Sequence, residues 1–263
     1  MAKYLIINAD DLGLAPGINQ AVIDLHQAGV VTSTSLMVNM PGFKDAVKRI
    51  RHVPTLGVGL HFNLSEGSPI TPPNWIPSLV DHKEEFSNSL GWDETDVMTE
   101  LKAQMHRLQS AGIRPTHIDS HGFIQKRMAV CRPMLILART MNLPMRRTGW
   151  EPDPRINSLP GVVDKFFSNV YFEDNGKSLL LSNLNSVPHG TTELICHPGY
   201  VDEYLPKVST WTRVREIEYS VLADPEVRKT IRRLKIILVN YGHLKYFGTL
   251  ANKIISMTPM QKV

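Results

Sequence analysis

The sequence predicts an α/β protein built as a single irregular (β/α), TIM-like barrel, and three observations carry that expectation. Short β-branched or apolar runs alternate with stretches whose apolar residues recur at helical spacing, almost from end to end. No Pro-, Gly- or Ser-rich linker interrupts the alternation, so residues 1–263 read as one domain with an inserted loop at about 65–92. Polar, chemistry-bearing residues stand at the C-terminal ends of the apolar runs, where parallel α/β folds place their sites. An open, doubly wound sheet is the runner-up.

The first strand covers residues 4–9. Ile18, Val22 and Leu25 then share a helix face, stopped by Gly29. Residues 30–38 are β-branched and read as a second strand, followed by a helix over 43–51. Across 57–64, Val58, Leu60, Phe62 and Leu64 point one way, while Gly59, His61 and Asn63 point the other. The segment 65–92 breaks this rhythm; rich in Pro, Ser and Asn, it reads as a lid or binding loop. Asp93 caps a helix running to residue 110, closed by Gly112. Residues 115–121 give a fourth strand and 128–141 the next helix. Between 143 and 186 the pattern supports one or two strands and a short helix without fixing their register. A later strand over 193–197 ends at Pro198-Gly199, and a helical region with a last strand over 236–239 follows.

Composition narrows the function classes. With 42% hydrophobic and 21% charged residues, the chain is an ordinary globular protein able to bury a large core. A formal charge of +4 gives no argument for nucleic acid. Arg228, Lys229, Arg232, Arg233 and Lys235 follow the helix start Asp224-Pro225 and read as a solvated helix face. Cys131 and Cys196 lie in apolar contexts without CxxC pairing, as buried reduced thiols of a cytoplasmic protein would. The N-terminus has no signal-peptide pattern, and no apolar run approaches the ~20 residues of a membrane span.

Four strand ends share one chemical inventory: Asp10 with Asp11; His61 with Asn63; His117, Asp119 and His121; and His197 with Glu193. Adjacent carboxylates are costly to keep ionised unless a cation or hydrogen bonds stabilise them. Two imidazoles and a carboxylate suit a divalent cation with open coordination positions, and Asp11, His61 and His121 are the most economical set. Asp10, facing the opposite side of an extended strand from Asp11, is then free to accept a proton from water. His197, or else Asp119, would protonate a leaving group. Asn63, His117 and Asp119 are placed to orient a ligand or meet the substrate. Plainer readings exist for each: an Asx turn at the Asp pair, an interior hydrogen-bonded His61, packing groups at His117 and Asp119. The coincidence at four strand ends is what favours a site. GxSxG, HExxH and P-loop motifs are absent, and Gly57-Val58-Gly59 lacks the third glycine of a dinucleotide loop, Phe62 standing there.

These residues resemble the YdjC-type carbohydrate deacetylases, the family that includes chitooligosaccharide deacetylases. The resemblance runs through Asn8-Ala9-Asp10-Asp11-Leu12-Gly13-Leu14, Gly17-Ile18-Asn19, Val31-Thr32-Ser33-Thr34-Ser35-Leu36-Met37-Val38-Asn39 and Gly57-Val58-Gly59-Leu60-His61-Phe62-Asn63-Leu64-Ser65-Glu66-Gly67. Pro115-Thr116-His117-Ile118-Asp119-Ser120-His121 and Glu193-Leu194-Ile195-Cys196-His197-Pro198-Gly199-Tyr200 continue it in order. It implies an irregular (β/α) barrel, a homodimer, and a divalent metal on Asp11, His61 and His121: Mg2+, with Zn2+ the alternative. One departure stands out: Phe123 and Gln125 occupy positions where many members carry further histidines.

The expected activity is metal-dependent removal of an acetyl group from an N-acetylated sugar or oligosaccharide, with no nucleic-acid or membrane partner. Trp75 and Trp92 in the loop are candidates to stack on sugar rings. Two alternatives remain: hydrolysis of another amide or cyclic imide at the same metal, and a catalytically inactive sugar-binding relative.

Overall fold

Residues Lys3–Leu12 form the longest strand, β1, buried at every position from Leu5 onward. A strand covered on both faces is apolar almost continuously, which is how its sequence reads up to the carboxylates. The computed structural model describes residues 2–87 and 91–244. It sets six further strands parallel to β1: β2 (Ser33–Leu36), β3 (Gly57–Phe62), β4 (Ile118–Ser120), β5 (Lys165–Phe167), β6 (Gly190–Cys196) and β7 (Ile236–Leu238). Their order is β4-β3-β2-β1-β6-β5, while β7 pairs with Lys3, Tyr4 and Leu5 of β1, before the pairing with β2 begins at Asn8. The intervening helices are α1 (Pro16–Gln27), α2 (Phe43–Ile50), α3 (Glu94–Ser110), α4 (Met128–Thr140), α5 (Gly176–Asn185), α6 (Leu205–Val208), α7 (Arg213–Ala223) and α8 (Pro225–Arg233). No helix of the described residues is long and apolar enough to cross a membrane.

In a flat sheet β1 and β4, three places apart, would lie roughly 14 Å from each other at ~4.8 Å per strand. Instead, one nitrogen of Arg146, Nη2, is 2.7 Å from Asp10 at the end of β1 and 2.8 Å from Asp119 on β4. The sheet therefore curls into a parallel half-barrel, with its strand ends converging on the concave side. Among the described residues no pairing joins β5 back to β4, so the expected barrel is realised as a curled, open sheet. Both flanking strands are only three residues long, too short to offer a closing ladder. Beside β4 lies instead the extended segment 144–146: Ile118 N–H donates to Pro144 O, and Arg146 N–H donates to Ile118 O.

Several elements differ from expectation for local reasons. The fourth strand ends at Ser120, because His121 opens a 3-10 turn (His121–Lys126) in which Gly122 and Phe123 have φ of 60° and 53°. The second strand is limited to the four residues that pair with β3, of which Ser33, Thr34 and Leu36 also pair with β1. Within the long loop, Trp92 is buried, its indole N–H donating to Ser87 O and the Arg127 guanidinium lying over its ring. Glu100 of α3 ties the loop down by accepting from the amides of Ile70 and Thr71.

The turn that follows β1 is held by one side chain. Gly13 has φ of 89°, and a Cβ there would meet Met37 O at 2.6 Å, so only glycine fits. Its amide donates to Asn19 Oδ1 at 2.7 Å, and Asn19 Nδ2 donates to Gly42 O at 2.9 Å. Fully buried Asn19 thereby pins α1 and the start of α2 to the turn beneath Asp10 and Asp11. Asn19→Ala leaves the buried Gly13 amide unsatisfied, while Gly42 O still accepts from Ala46 N–H, and is expected to cost about 1–3 kcal/mol, read from the urea midpoint.

Candidate active site

The end of β1 is irregular, and the irregularity aims its carboxylates. Register with β2 shifts between Ala9 and Leu12, and Asp11 takes a left-handed φ of 67°. Such a bulge redirects a side chain. Asp10 and Asp11, expected on opposite sides of an extended strand, consequently both line one cavity of about 1070 Å3. His61, His121, His197, Phe123, Trp211 and Arg215 line it as well.

Asp11 is the hub of the first cluster. Its Oδ1 lies 2.9 Å from His121 Nδ1 and 3.2 Å from His61 Nε2, while its Oδ2 accepts from Arg215 Nη2 at 2.7 Å. Burial works against its charge, but Arg215 and His121 outweigh that and hold its pKa well below the usual carboxylate range. On the other side of His61, Nδ1 lies 2.8 Å from Asp119 Oδ1. Burial disfavours a charged His61, yet the Asp119 charge and hydrogen bonding to Asp11 and Asp119 push its pKa up to about 10. With a cation in place, Nδ1–H would stay donated to Asp119 and Nε2 would turn a lone pair to the ion. Nε2 is buried 3.2 Å from Asp11 Oδ1 without a well-aligned hydrogen bond, so the donor set fits a cation. Ligand atoms of Asp11, His61 and His121 all lie within 4.8 Å of one another; Asp10, His61 and Asp119 form a second such group.

The second cluster surrounds Arg146. Its Nη1 and Nη2 donate to the two Asp10 oxygens at 2.7 Å each, and Nε donates to Glu193 Oε1 at 2.9 Å. Asn8 Nδ2 adds a bond to Asp10 Oδ1 at 2.8 Å. The guanidinium is fully buried; desolvation opposes its charge, but Asp10, Asp119 and Glu193 raise its pKa further still. Burial pushes Glu193 up to about 7 despite Arg146. The Tyr241 hydroxyl donates to its other oxygen.

His197 follows β6 on the cavity wall. Its backbone N–H donates to Glu218 Oε1 at 2.9 Å, its Nδ1 lies 3.9 Å from the same oxygen, and the Trp211 ring centroid is 5.6 Å away, edge-on. Burial raises the pKa of Glu218. Arg215 and Glu218 are three residues apart on α7 and so share its inward face.

The remaining sequence candidates fall elsewhere. His117 is buried and stacked on Tyr241 at 4.0 Å, and a side chain at Gly59 would collide with its ring. Asn63 organises the loop: its Oδ1 accepts from the amides of Ser65 and Glu66, and its Nδ2 donates to Glu66 O. Gln125 is buried, accepting from the Ser120 hydroxyl, whereas Phe123 reaches the cavity. The expected stacking residues do not: Trp92 is buried and Trp75, 66% exposed, lies outside the cavity lining. Sequence reading missed Arg146, Arg215 and Glu218. Buried Asp10, Asp119 and Glu193 demand a cation, and Arg146 directly after the apolar Leu143-Pro144-Met145 was its one sequence signal. The inward spacing of Arg215 and Glu218 had none apart from the helix pattern.

A family model described as YdjC-like protein matches residues 4–233. The chain is 37% identical to a carbohydrate deacetylase of Thermoanaerobacter pseudethanolicus, over 92% of this chain and 100% of that one. It is 36% identical to a carbohydrate deacetylase of Geobacillus stearothermophilus, over 92% and 98%. A crystallised Enterococcus faecalis protein, suggested to cleave cellobiose-phosphate, superposes with a TM-score of 0.84 at 31% identity, covering 93% of this chain and 99% of that one. A family 4 carbohydrate esterase from Streptomyces lividans shares the fold alone, with a TM-score of 0.51 at 11% identity over 90% and 91%. With the matched span covering nearly the whole ordered sheet, and relatives above 30% identity along their full length, the chain belongs to the YdjC-like family.

Proposed function

We propose that the chain hydrolyses the acetamide of an N-acetylated sugar in a metal-dependent reaction, as a carbohydrate deacetylase. The observation that carries this reading is one cavity in which a fitted cation donor set, Asp11, His61 and His121, adjoins a separately held carboxylate, Asp10, and an imidazole, His197. The names of the relatives support the substrate class.

Asp11, His61 and His121 would hold the ion; when bound, a divalent cation supplies Lewis acidity, acidifying water and polarising a carbonyl. Asp10 is the general base. Arg146 and Asn8 occupy both lone-pair directions of its Oδ1, whereas Oδ2 accepts only Arg146 Nη1 and keeps a lone pair for a water proton. Water oxygen bonds to the acyl carbon, the C–N bond breaks, and His197 gives a proton to the departing amine, leaving acetate. Glu218 accepts from the His197 backbone N–H and lies 3.9 Å from its Nδ1, which positions the ring on the cavity wall. Asp119 orients His61 through its Nδ1. Mg2+ is the ion of this reading, with Zn2+ the alternative. Cytoplasmic location and a homodimer belong to it too, the first supported by two buried free thiols, Cys131 and Cys196.

The test is acetate release from N-acetylated mono- and disaccharides by metal-stripped protein and by protein reconstituted with Mg2+ or Zn2+. Chelation is expected to abolish release; full activity without metal overturns the reading. Asp10→Asn should lower kcat by roughly 10²–10⁴-fold while metal content, measured by elemental analysis, stays unchanged. Asp11→Ala should lose the metal itself. Arg146→Met strands Asp10, Asp119 and Glu193 against one another and should cost about 3–5 kcal/mol in denaturant unfolding.

A further inference from the structure

We propose that Glu193 and Tyr241, buried groups with no part in the reaction above, form a positioning pair. The Glu193 carboxylate draws on Arg146 through its Nε, and so keeps Asp10 free to accept a proton. This rests on the reading of Asp10 as the general base, and adds to it the residues that set the strength of that base.

Alternate residues of a strand share a face, so Glu193 stands on the side of β6 that also carries Ile195 and, just past the strand, His197 to the cavity. Its Oε1 accepts from Arg146 Nε at 2.9 Å, and its Oε2 accepts from the Tyr241 hydroxyl. Tyr241 is itself fixed on two sides. Its backbone N–H donates to Ser33 Oγ at 3.1 Å, and its ring is stacked on His117 with centroids 4.0 Å apart. His117 in turn occupies the space that Gly59 leaves by having no side chain. The chain after β7 is thus held so that one hydroxyl meets one carboxylate. Phenylalanine would serve a purely packing role; a fully buried hydroxyl is tolerated because its bond to Glu193 offsets its desolvation.

The charged and titratable groups facing Glu193 come from every side. Arg146 arrives from segment 144–146 and Tyr241 from the chain after β7, while Asp10 of β1 and Asp119 of β4 add like charges. Phe166, its partner on β5, adds none, and burial lowers the pKa of His117 behind Tyr241. Arg146 therefore answers three carboxylates with one charge. An ionised Glu193 takes a share of that charge and favours a proton on its neighbour Asp10. A neutral Glu193 leaves the whole guanidinium to Asp10 and Asp119. Burial pushes Glu193 up to about 7 against the pull of Arg146 and Tyr241. The charged form, and the stronger base with it, is present above that pH and is lost as pH falls through it. A donor to the charged form of a carboxyl lowers its pKa, so the Tyr241 hydroxyl keeps Glu193 ionised near neutrality.

The experiment compares the full chain with Glu193→Gln, Tyr241→Phe and the double variant. It reads kcat, KM and metal content between about pH 6 and 9, on an N-acetylated sugar that the wild-type chain turns over. Glutamine keeps the shape and both hydrogen bonds and removes only the charge, so a packing role predicts wild-type kinetics. Glu193→Gln is expected instead to lower kcat about tenfold with KM and metal content unchanged. Tyr241→Phe, which keeps the ring on His117, should move the loss of kcat on acidification upward by about one pH unit. In the Glu193→Gln background it should shift nothing further. Infrared titration reads the pair without turnover: a protonated-carboxyl band appears as pH falls through about 7, is missing in Glu193→Gln and is shifted upward in Tyr241→Phe. An undiminished kcat in Glu193→Gln, or an unshifted profile and band in Tyr241→Phe, overturns the proposal. A wild-type chain that releases no acetate overturns the deacetylase reading instead, and the infrared titration then decides the pair alone.

Discussion

The structure depends on one buried guanidinium. Arg146 gathers carboxylates from three strands, Asp10 of β1, Asp119 of β4 and Glu193 of β6, around a single positive charge. Three buried carboxylates on β1, β4 and β6 would repel one another; with the cation between them they draw β4 toward β1 and the sheet curls. The arrangement is weak evidence for net stability, because desolvating the four groups costs about as much as their attraction returns. Its effect is geometric. Curling brings β3 and the turn after β4 over the end of β1, so that His61 and His121 both reach Asp11.

A second cation divides the Asp pair. Arg215 of α7 takes one oxygen of Asp11 and leaves the other to the two imidazoles, while Arg146 takes both oxygens of Asp10. The same face of α7 carries Glu218 to the end of β6, beside His197. The Gly199 amide, which donates to Arg215 O at 3.2 Å, locks the start of that helix to the strand end. One outer helix thus sets the electrostatics at both ends of the cavity, at the proposed metal ligand and at the proposed proton donor.

Much of this was legible in the sequence, and its limits have physical causes. Strand–helix alternation and polar strand ends gave the parallel α/β architecture, because burial and periodicity are local properties. Asp11, His61 and His121, distant in sequence, were legible as neighbours because parallel strands bring their C-terminal ends to one rim. Closure of the sheet was not legible: it turns on how far the short strands β4 and β5 extend, which no local pattern encodes. Arg146 sat in a segment without clear register, since 144–146 pairs with β4 by too few bonds to leave an alternating pattern. For Trp92 the sequence left sugar stacking and burial under the loop both open, and its ring is buried with Arg127 over it.

The bulge at Asp11 changes the explanation of the Asp pair more than it changes the pair. An unbroken strand would send the two carboxylates to opposite faces and separate their duties by direction. With φ of 67° at Asp11, both enter the same cavity, so direction cannot separate them. What distinguishes them is the company each keeps. Asp10 is held by a permanently charged guanidinium and an amide, which fixes its plane and leaves one lone pair on Oδ2. Asp11 shares its outward oxygen with two imidazoles, one of which has a buried nitrogen without a well-aligned hydrogen bond. A carboxylate held by Arg146 has little to gain from a further cation, whereas one facing two imidazoles is half of a binding site. The assignment of base and ligand follows from that difference in partners, and the left-handed residue is what allows both to act on the same substrate.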